Sequence, residues 1–327
     1  FQIKAKAMVN ACGPYVDKHN VLADQKTEHR HLLSKGIHLI VDRITEKNRI
    51  LAFFASDGRL FFVIPMGNKT SIGTTDTQVD SPNVEVTAED RTFVLENINV
   101  LLKLKKPITE DDIIAERCGV RPLAQKGGDG VADWVKLSRK HAIDVSHEDQ
   151  HLSIFGGKTT DCINVGNEVA EIIKGMGIEL PYEDFKWYGE EDDTVRDEFY
   201  HQAKLMELDA YTVEGSSEPL TQRLWRRYGS RALELLEDIR RDPREAQRLM
   251  KDAEYLRCEV EHTARHEMVT KLEDFLRRRS KITQVVRDED IVDAPGLKEA
   301  CRIFFGDQAE AKRQEWIDSI KKNPPKD

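Results

Sequence analysis

The chain has 327 residues, 39% hydrophobic and 33% charged, and its 59 Asp and Glu against 50 Lys and Arg leave a net charge of −9. That balance excludes a general attraction to nucleic acid or anionic lipid, while the length allows two domains or one large one with a real core. The five cysteines form no Cys-x-x-Cys pair and no apolar run nears the roughly 20 residues that span a bilayer, so a disulfide framework, a cysteine zinc site and a transmembrane helix are all excluded.

A reducing cytoplasm fits best, with any membrane contact peripheral. The first element in chain order is a predicted strand over 3–11, running into Cys12-Gly13-Pro14 and a helix start. Phe1 is not a methionine and no signal-peptide pattern precedes the strand, so the chain reads as the interior of a longer protein. From Ser34 to Asp76 short β-rich runs follow at 37–41, 50–54, 60–64 and 70–74, with Asp57-Gly58 and Gly67-Asn68 as hairpin turns of an antiparallel sheet. Thr87 and Asp90 form a capping-box signature before a helix that carries Phe93, Ile98, Leu101 and Leu102. Strands resume near Ile113 and, beyond a glycine-rich loop at 127–130, are predicted at 135–137 and 142–145.

Leu152-Ser153-Ile154-Phe155 then runs through Gly156-Gly157-Lys158-Thr159-Thr160 into an amphipathic helix ending near Gly175. Two residues without Cβ, the free N–H groups of a helix start and a lysine make an anion-binding pattern. A nucleoside-triphosphate loop is excluded, because it needs a glycine where Leu152 stands. An ordinary strand-to-helix turn is equally compatible with so short a motif.

Beyond the acidic run Glu190-Glu191-Asp192-Asp193, read as a solvated linker, the composition turns helical. Leu256, Val260, Ala264, Met268, Leu272 and Leu276 recur every fourth residue and predict one core-facing stripe on a single long helix. His262 and His266 stand four apart, as do His147 and His151, but neither pair has a third ligand at useful spacing, so no metal is expected. Arg226-Arg227, Arg240-Arg241 and Arg277-Arg278-Arg279 make either a solvated helix face or a basic face for anionic lipid.

Several of these segments, in order, resemble the flavin-dependent glycerol-3-phosphate dehydrogenases of the aerobic, quinone-linked kind. They are Val9-Asn10-Ala11-Cys12-Gly13-Pro14-Tyr15, Ser34-Lys35-Gly36-Ile37-His38, Gly73-Thr74-Thr75-Asp76, Gly119-Val120-Arg121-Pro122-Leu123 and Phe155-Gly156-Gly157-Lys158. The tail joins with Tyr255-Leu256-Arg257-Cys258-Glu259, Arg265-His266-Glu267-Met268 and Leu272-Glu273-Asp274-Phe275-Leu276-Arg277-Arg278. The resemblance implies an α+β fold: an antiparallel or mixed substrate-binding sheet, a remnant of a Rossmann-type FAD-binding domain, and an all-α C-terminal domain. The expected boundaries are 1–25 and 152–180 for the FAD remnant, 26–151 for the substrate sheet and 190–327 for the helices.

The implied reaction takes sn-glycerol 3-phosphate to dihydroxyacetone phosphate, with FAD as cofactor, quinone as electron acceptor, and a peripheral position at the inner face of the cell membrane. Nucleic acid is not an expected partner. Arg121 is the first candidate for the substrate phosphate, because a planar guanidinium bonds two oxygens at once; Arg139 is the second, and a surface ion pair is the bland alternative for Arg121. Gly13, Gly156, Gly157, Lys158, Thr159 and Thr160 are the implied cofactor-binding residues, since a helix start aimed at reduced flavin stabilises its negative charge. Lys158 either neutralises flavin or grips the phosphate, and is implied with Arg121 in catalysis; a snorkelling surface lysine is its bland alternative.

The family usually continues Gly-Gly-Lys with Leu-Thr-Thr or Leu-Thr-Ser, whereas Thr159-Thr160-Asp161 follows here, placing a carboxylate where it competes for the anion site. The family's Gly-x-Gly-x-x-Gly motif and its early histidine-bearing segment, the implied source of the general base, fall upstream of Phe1; His38 is read as a pocket wall or core residue. The alternatives kept open are an oxidase of the same phosphate ester and a non-catalytic helical interaction module.

Overall fold

Turn chemistry and alternating apolar residues set the first elements in the computed structural model, which describes residues 2–127, 140–182, 191–250 and 253–322. In chain order these are β1 (Met8–Asn10), α1 (Val16–Leu22), β2 (His29–Asp42), β3 (Leu51–Phe54), β4 (Leu60–Met66), β5 (Lys69–Gly73), β6 (Thr77–Val79), α2 (Ala88–Leu101) and β7 (Ala115–Lys126). Then come β8 (His141–Ser146), β9 (His151–Gly156), α3 (Cys162–Gly175), α4 (Asp193–Leu205), α5 (Leu220–Tyr228), α6 (Ala232–Arg241) and α7 (Arg257–His266). The tail ends with α8 (Ile282–Val285), α9 (Asp288–Asp293), α10 (Pro295–Phe305) and α11 (Ala309–Lys322). Mixed and antiparallel sheets followed by a helical region bear out the expected fold class.

The chain divides into two compact units. One comprises Phe1–His38, Gly73–Glu96 and Arg117–Phe185; the other comprises Leu39–Ile72, Asn97–Glu116 and Lys186–Asp327. In the first, β9 lies between β1, parallel to it with Asn10 opposite Ser153, and β8, antiparallel to it with His141 opposite Gly156. Polar side chains complete what this short sheet leaves open. Asn10 is buried and its Nδ2 donates to Val16 O at 3.1 Å and Asn20 Oδ1 at 2.7 Å, while Ser153 Oγ donates to the same Asn20 oxygen at 2.8 Å. The first section of β2 pairs antiparallel with β6, Leu33 opposite Val79. Buried Lys35 joins buried Asp90, whose Oδ2 also accepts from Thr87 N at 3.0 Å, so the sequence-predicted capping box is also the anchor of a β2 lysine.

In the second unit the order is β3-β4-β5-β2, with Leu51 opposite Val63 and Leu39 opposite Ile72. Both predicted hairpin turns fall where the sequence placed them. Leu39, Ile40, Val41, Phe61, Val63, Ile72 and Ile98 are buried there. Two apolar clusters organise the helices: Phe199, Leu208, Leu224, Leu235 and Leu236 in one, Val260, Leu272, Phe275, Leu276, Leu297 and Trp316 in the other.

Two expectations are corrected. The first strand covers only Met8–Asn10, because its register against β9 begins with Met8 opposite His151. The long striped helix is broken: α7 ends at His266, Met268 takes a left-handed φ of 48° with its side chain exposed, and a new π-helical turn begins at Asp274. Asp274 starts that turn by accepting from Thr270 N at 3.0 Å and Lys271 N at 2.9 Å. The predicted strand at 135–137 lies outside the described residues. No helix among the described residues is long and apolar enough to cross a membrane.

Candidate active site

The residues singled out in the first unit gather on β2, β7, the segment after β5 and the end of β9. β7 pairs with β2, and this brings Arg121 against Gly36 so closely that a Cβ at Gly36 would overlap the guanidinium. Glycine is needed there for contact, not for backbone conformation. The guanidinium is then oriented by the turn that follows β5: Nη2 donates to Thr74 Oγ1 at 2.9 Å, Nη1 to Thr75 O at 3.4 Å, and Asp76 Oδ1 lies 3.8 Å away. Thr75 is itself fixed, its Oγ1 accepting from Ile37 N at 3.1 Å. At 32% exposure the Arg121 side chain keeps a face open to solvent, and the three residues of one turn that hold it fix the direction of its guanidinium.

His38 completes this cluster. A Cβ at Gly73 would sit 3.0 Å from its ring, so β5 closes on β2 at a second glycine. Burial first, then the charges of Arg117 and Arg121, pull the His38 pKa down to about 4. The imidazole is therefore neutral at physiological pH. Arg117 escaped the sequence reading although one signal was present: it stands four before Arg121, and even spacing on a strand puts both on one face.

At the end of β9, Gly156 and Gly157 take left-handed φ values of 65° and 85°. A Cβ at Gly156 would press on Lys140 O at 3.0 Å and on Ala124 of β7 at 3.2 Å. Gly156 N donates to His31 Nε2 at 2.9 Å, whereas the N–H groups of Gly157, Lys158, Thr159 and Thr160 have no acceptor among the described residues. Lys158 is exposed, with no carboxylate at ion-pair distance among the described residues. Asp161, the expected competitor, is turned aside: it accepts from Asn164 Nδ2 at 2.7 Å and meets His141 Nδ1 at 3.1 Å, and those two contacts, in that order, hold its pKa down. His141 also meets Glu168 at 2.7 Å, which raises its pKa. The turn after β9 thus offers unpaired donors, a lysine and two glycines to an anionic or electron-rich edge.

The structure brings Arg121 together with Gly36, Thr74, Thr75, Asp76 and His38, and brings Gly156 against β7 at Ala124. Arg121 and Ala124 are three residue steps apart, roughly 10 Å along β7. No hydrogen bond or ion pair links Arg121 to Lys158 among the described residues. Gly13 sits at the left-handed start of a turn, φ 54°, behind Cys12 N, which donates to Asn10 Oδ1 at 3.3 Å. Arg139 lies outside the described residues. The arginine runs of the tail are occupied locally: Arg226 by Glu218, Arg227 by Glu259, Arg240 and Arg241 by Glu237, Arg277 by Glu273, and Arg278 by Glu273 and Asp274.

Known proteins match this chain in sequence and fold. A family model described as FAD dependent oxidoreductase covers residues 1–155, and one described as the C-terminal domain of alpha-glycerophosphate oxidase covers residues 127–295. Aerobic glycerol-3-phosphate dehydrogenases from Staphylococcus epidermidis and Staphylococcus aureus are 28% and 29% identical, over 86% of this chain and 51% of their own length. The chain thus spans about half the length of the curated relatives it matches. A crystal structure of the glycerol-3-phosphate dehydrogenase from Bacillus halodurans, complexed with FAD, superposes with a TM-score of 0.68 at 25% identity, over 98% of this chain and 62% of that one. With two overlapping family models and a superposition over nearly its whole length, the chain belongs to the FAD-dependent glycerol-3-phosphate dehydrogenase and alpha-glycerophosphate oxidase family.

Proposed function

We propose that this chain supplies the substrate-gripping sheet and the flavin-facing turn of an enzyme that oxidises sn-glycerol 3-phosphate to dihydroxyacetone phosphate. The observation that carries the reading is the Arg121 guanidinium, seated on Gly36 and aimed by Thr74 and Thr75. In this reading Arg121 takes two phosphate oxygens, Arg139 adds a second cation, and Arg117 and His38 form the adjoining wall. A dianionic phosphate entering between Arg121 and Arg117 offsets the charges that depress His38, so substrate binding raises the proton affinity of that imidazole.

FAD suits the turn after β9. Left-handed glycines let the backbone approach, the N–H groups of Gly157 to Thr160 are unpaired among the described residues, and Lys158 is exposed beside them. The chemistry that FAD supplies when bound is acceptance of a hydride from the secondary alcohol. The chain's own role is to present N–H donors and Lys158 to the edge where negative charge collects, with Gly13 lining the same cofactor site. Residues 26–151 are assigned to substrate binding, residues 1–25 and 152–180 to flavin binding, and the helices from 190 onward to the C-terminal domain.

Quinone is the proposed electron acceptor, with the protein peripheral at the inner face of the cell membrane. The match to an alpha-glycerophosphate oxidase domain favours one rival, transfer to oxygen. Calorimetric titration with glycerol 3-phosphate, glycerol and inorganic phosphate tests the substrate reading: binding should require the phosphate and vanish in Arg121→Ala. Equal binding of glycerol, or an unaffected variant, would overturn it. Peroxide release during turnover of the FAD-loaded protein decides between oxygen and quinone.

A further inference from the structure

His262 and His266 occupy the last turns of α7, and the sequence shows no third ligand at useful spacing. The fold supplies one. α6 begins where α7 ends, as the 3.1 Å bond from Arg265 Nη2 on α7 to Asp238 Oδ2 on α6 records, and this carries Glu234 of the first turn of α6 to the histidine pair. One ligand atom from each of Glu234, His262 and His266 lies within 4.8 Å of the others. The two imidazoles are tilted by 42° to one another, with centroids 4.6 Å apart.

The site has a built side and an open side. His262 is only 5% exposed, and the Tyr228 ring stands edge-on to it at 5.2 Å and 75°, which fixes its plane. Neither nitrogen of His262 makes a hydrogen bond among the described residues. Glu234 and His266 are exposed, so a hydrated cation reaches them from solvent. Two neutral imidazoles and one carboxylate are the donor set of zinc sites that keep a fourth position for water. Tetrahedral ligands stand roughly 3.3 Å apart at zinc–nitrogen and zinc–oxygen bond lengths. Side-chain rotation that moves the ligand atoms by about 1.5 Å or less closes the observed triangle to that size.

We propose that Glu234, His262 and His266 form a binding site for a divalent transition-metal cation of zinc's class, clamping the start of α6 to the end of α7. Arg231 opposes it. Its Nη1 donates to His266 Nδ1 at 3.1 Å, a cation already seated on one ligand, and it must swing into solvent for metal to enter. Arg231 therefore tunes the affinity downward, as a displaceable plug.

The test is calorimetric titration of Zn²⁺ into the whole chain after its exposed thiols, Cys12 and Cys162, have been alkylated. Thermal unfolding is followed with and without metal. One site is expected, with affinity at least about tenfold weaker in His266→Ala and in Glu234→Gln, and stronger in Arg231→Ala. Zinc should raise the Tm of the unsubstituted chain and leave that of His266→Ala unchanged. Both ligand substitutions are at exposed positions and leave the apolar clusters intact. Unchanged zinc affinity in these two variants, or no binding at all, overturns the proposal.

Discussion

Gly36 and Arg121 share one small space: the guanidinium lies where the Cβ of any other residue at position 36 would be. The two are far apart in sequence and meet because β7 pairs with β2. Since the obstacle is the mobile end of a side chain, Gly36→Ala should fold normally and push Arg121 off Thr74. Losing one charge-assisted bond of about 1.5–3 kcal/mol corresponds to a fall of roughly 10- to 100-fold in affinity for glycerol 3-phosphate. Titration calorimetry beside an unchanged thermal melt checks this.

Arg121→Lys keeps the charge and loses the fork. An ammonium cannot bond Thr74 Oγ1 and two phosphate oxygens in one plane, so affinity should fall about tenfold rather than be restored. Full affinity in this variant would show that only charge matters at the position.

His38 ties stability to pH. Its folded pKa is about 4 against an ordinary 6.5, so the unfolded chain takes up the proton first as pH falls. The contribution of the neutral imidazole is present above about pH 6.5 and is lost as pH drops toward 4. Over that window urea midpoints should show the unsubstituted chain losing on the order of 2–3 kcal/mol more than His38→Gln. Parallel pH profiles for the two proteins would refute the assignment.

Glu259 is fully buried, and it receives Arg223 at 2.8 and 3.1 Å, Arg227 at 3.1 Å, Tyr228 Oη at 3.1 Å and Leu256 N at 2.8 Å. Glu259→Gln leaves buried Arg223 without its counter-charge. A loss of about 3–5 kcal/mol is expected, read as a lowered Tm, with little effect on phosphate binding by the first unit.

The sequence alone determined the features that depend on neighbouring residues. Asp57-Gly58 and Gly67-Asn68 mark hairpins through their own turn chemistry, Thr87 and Asp90 cap α2 across one turn, and the twin glycines after Phe155 announce a close backbone approach. The family segments were likewise legible as separate pieces. Apolar spacing was less informative about continuity. It identified Leu256, Val260, Leu272 and Leu276 as buried, but period four reports a face and not an unbroken axis, and the left-handed Met268 divides the helix.

Tertiary structure alone decided which pieces touch. Gly36 beneath Arg121, the neutral state of His38 between Arg117 and Arg121, and Asp161 turned onto His141 and Asn164 all arise from pairing between distant strands or from packing after a turn. Glu234 beside the α7 histidines follows from the antiparallel approach of two helices. Turn and cap preferences act over a few residues and so are written locally, whereas proton affinity and ligand geometry depend on charges and donors brought close by long-range contacts.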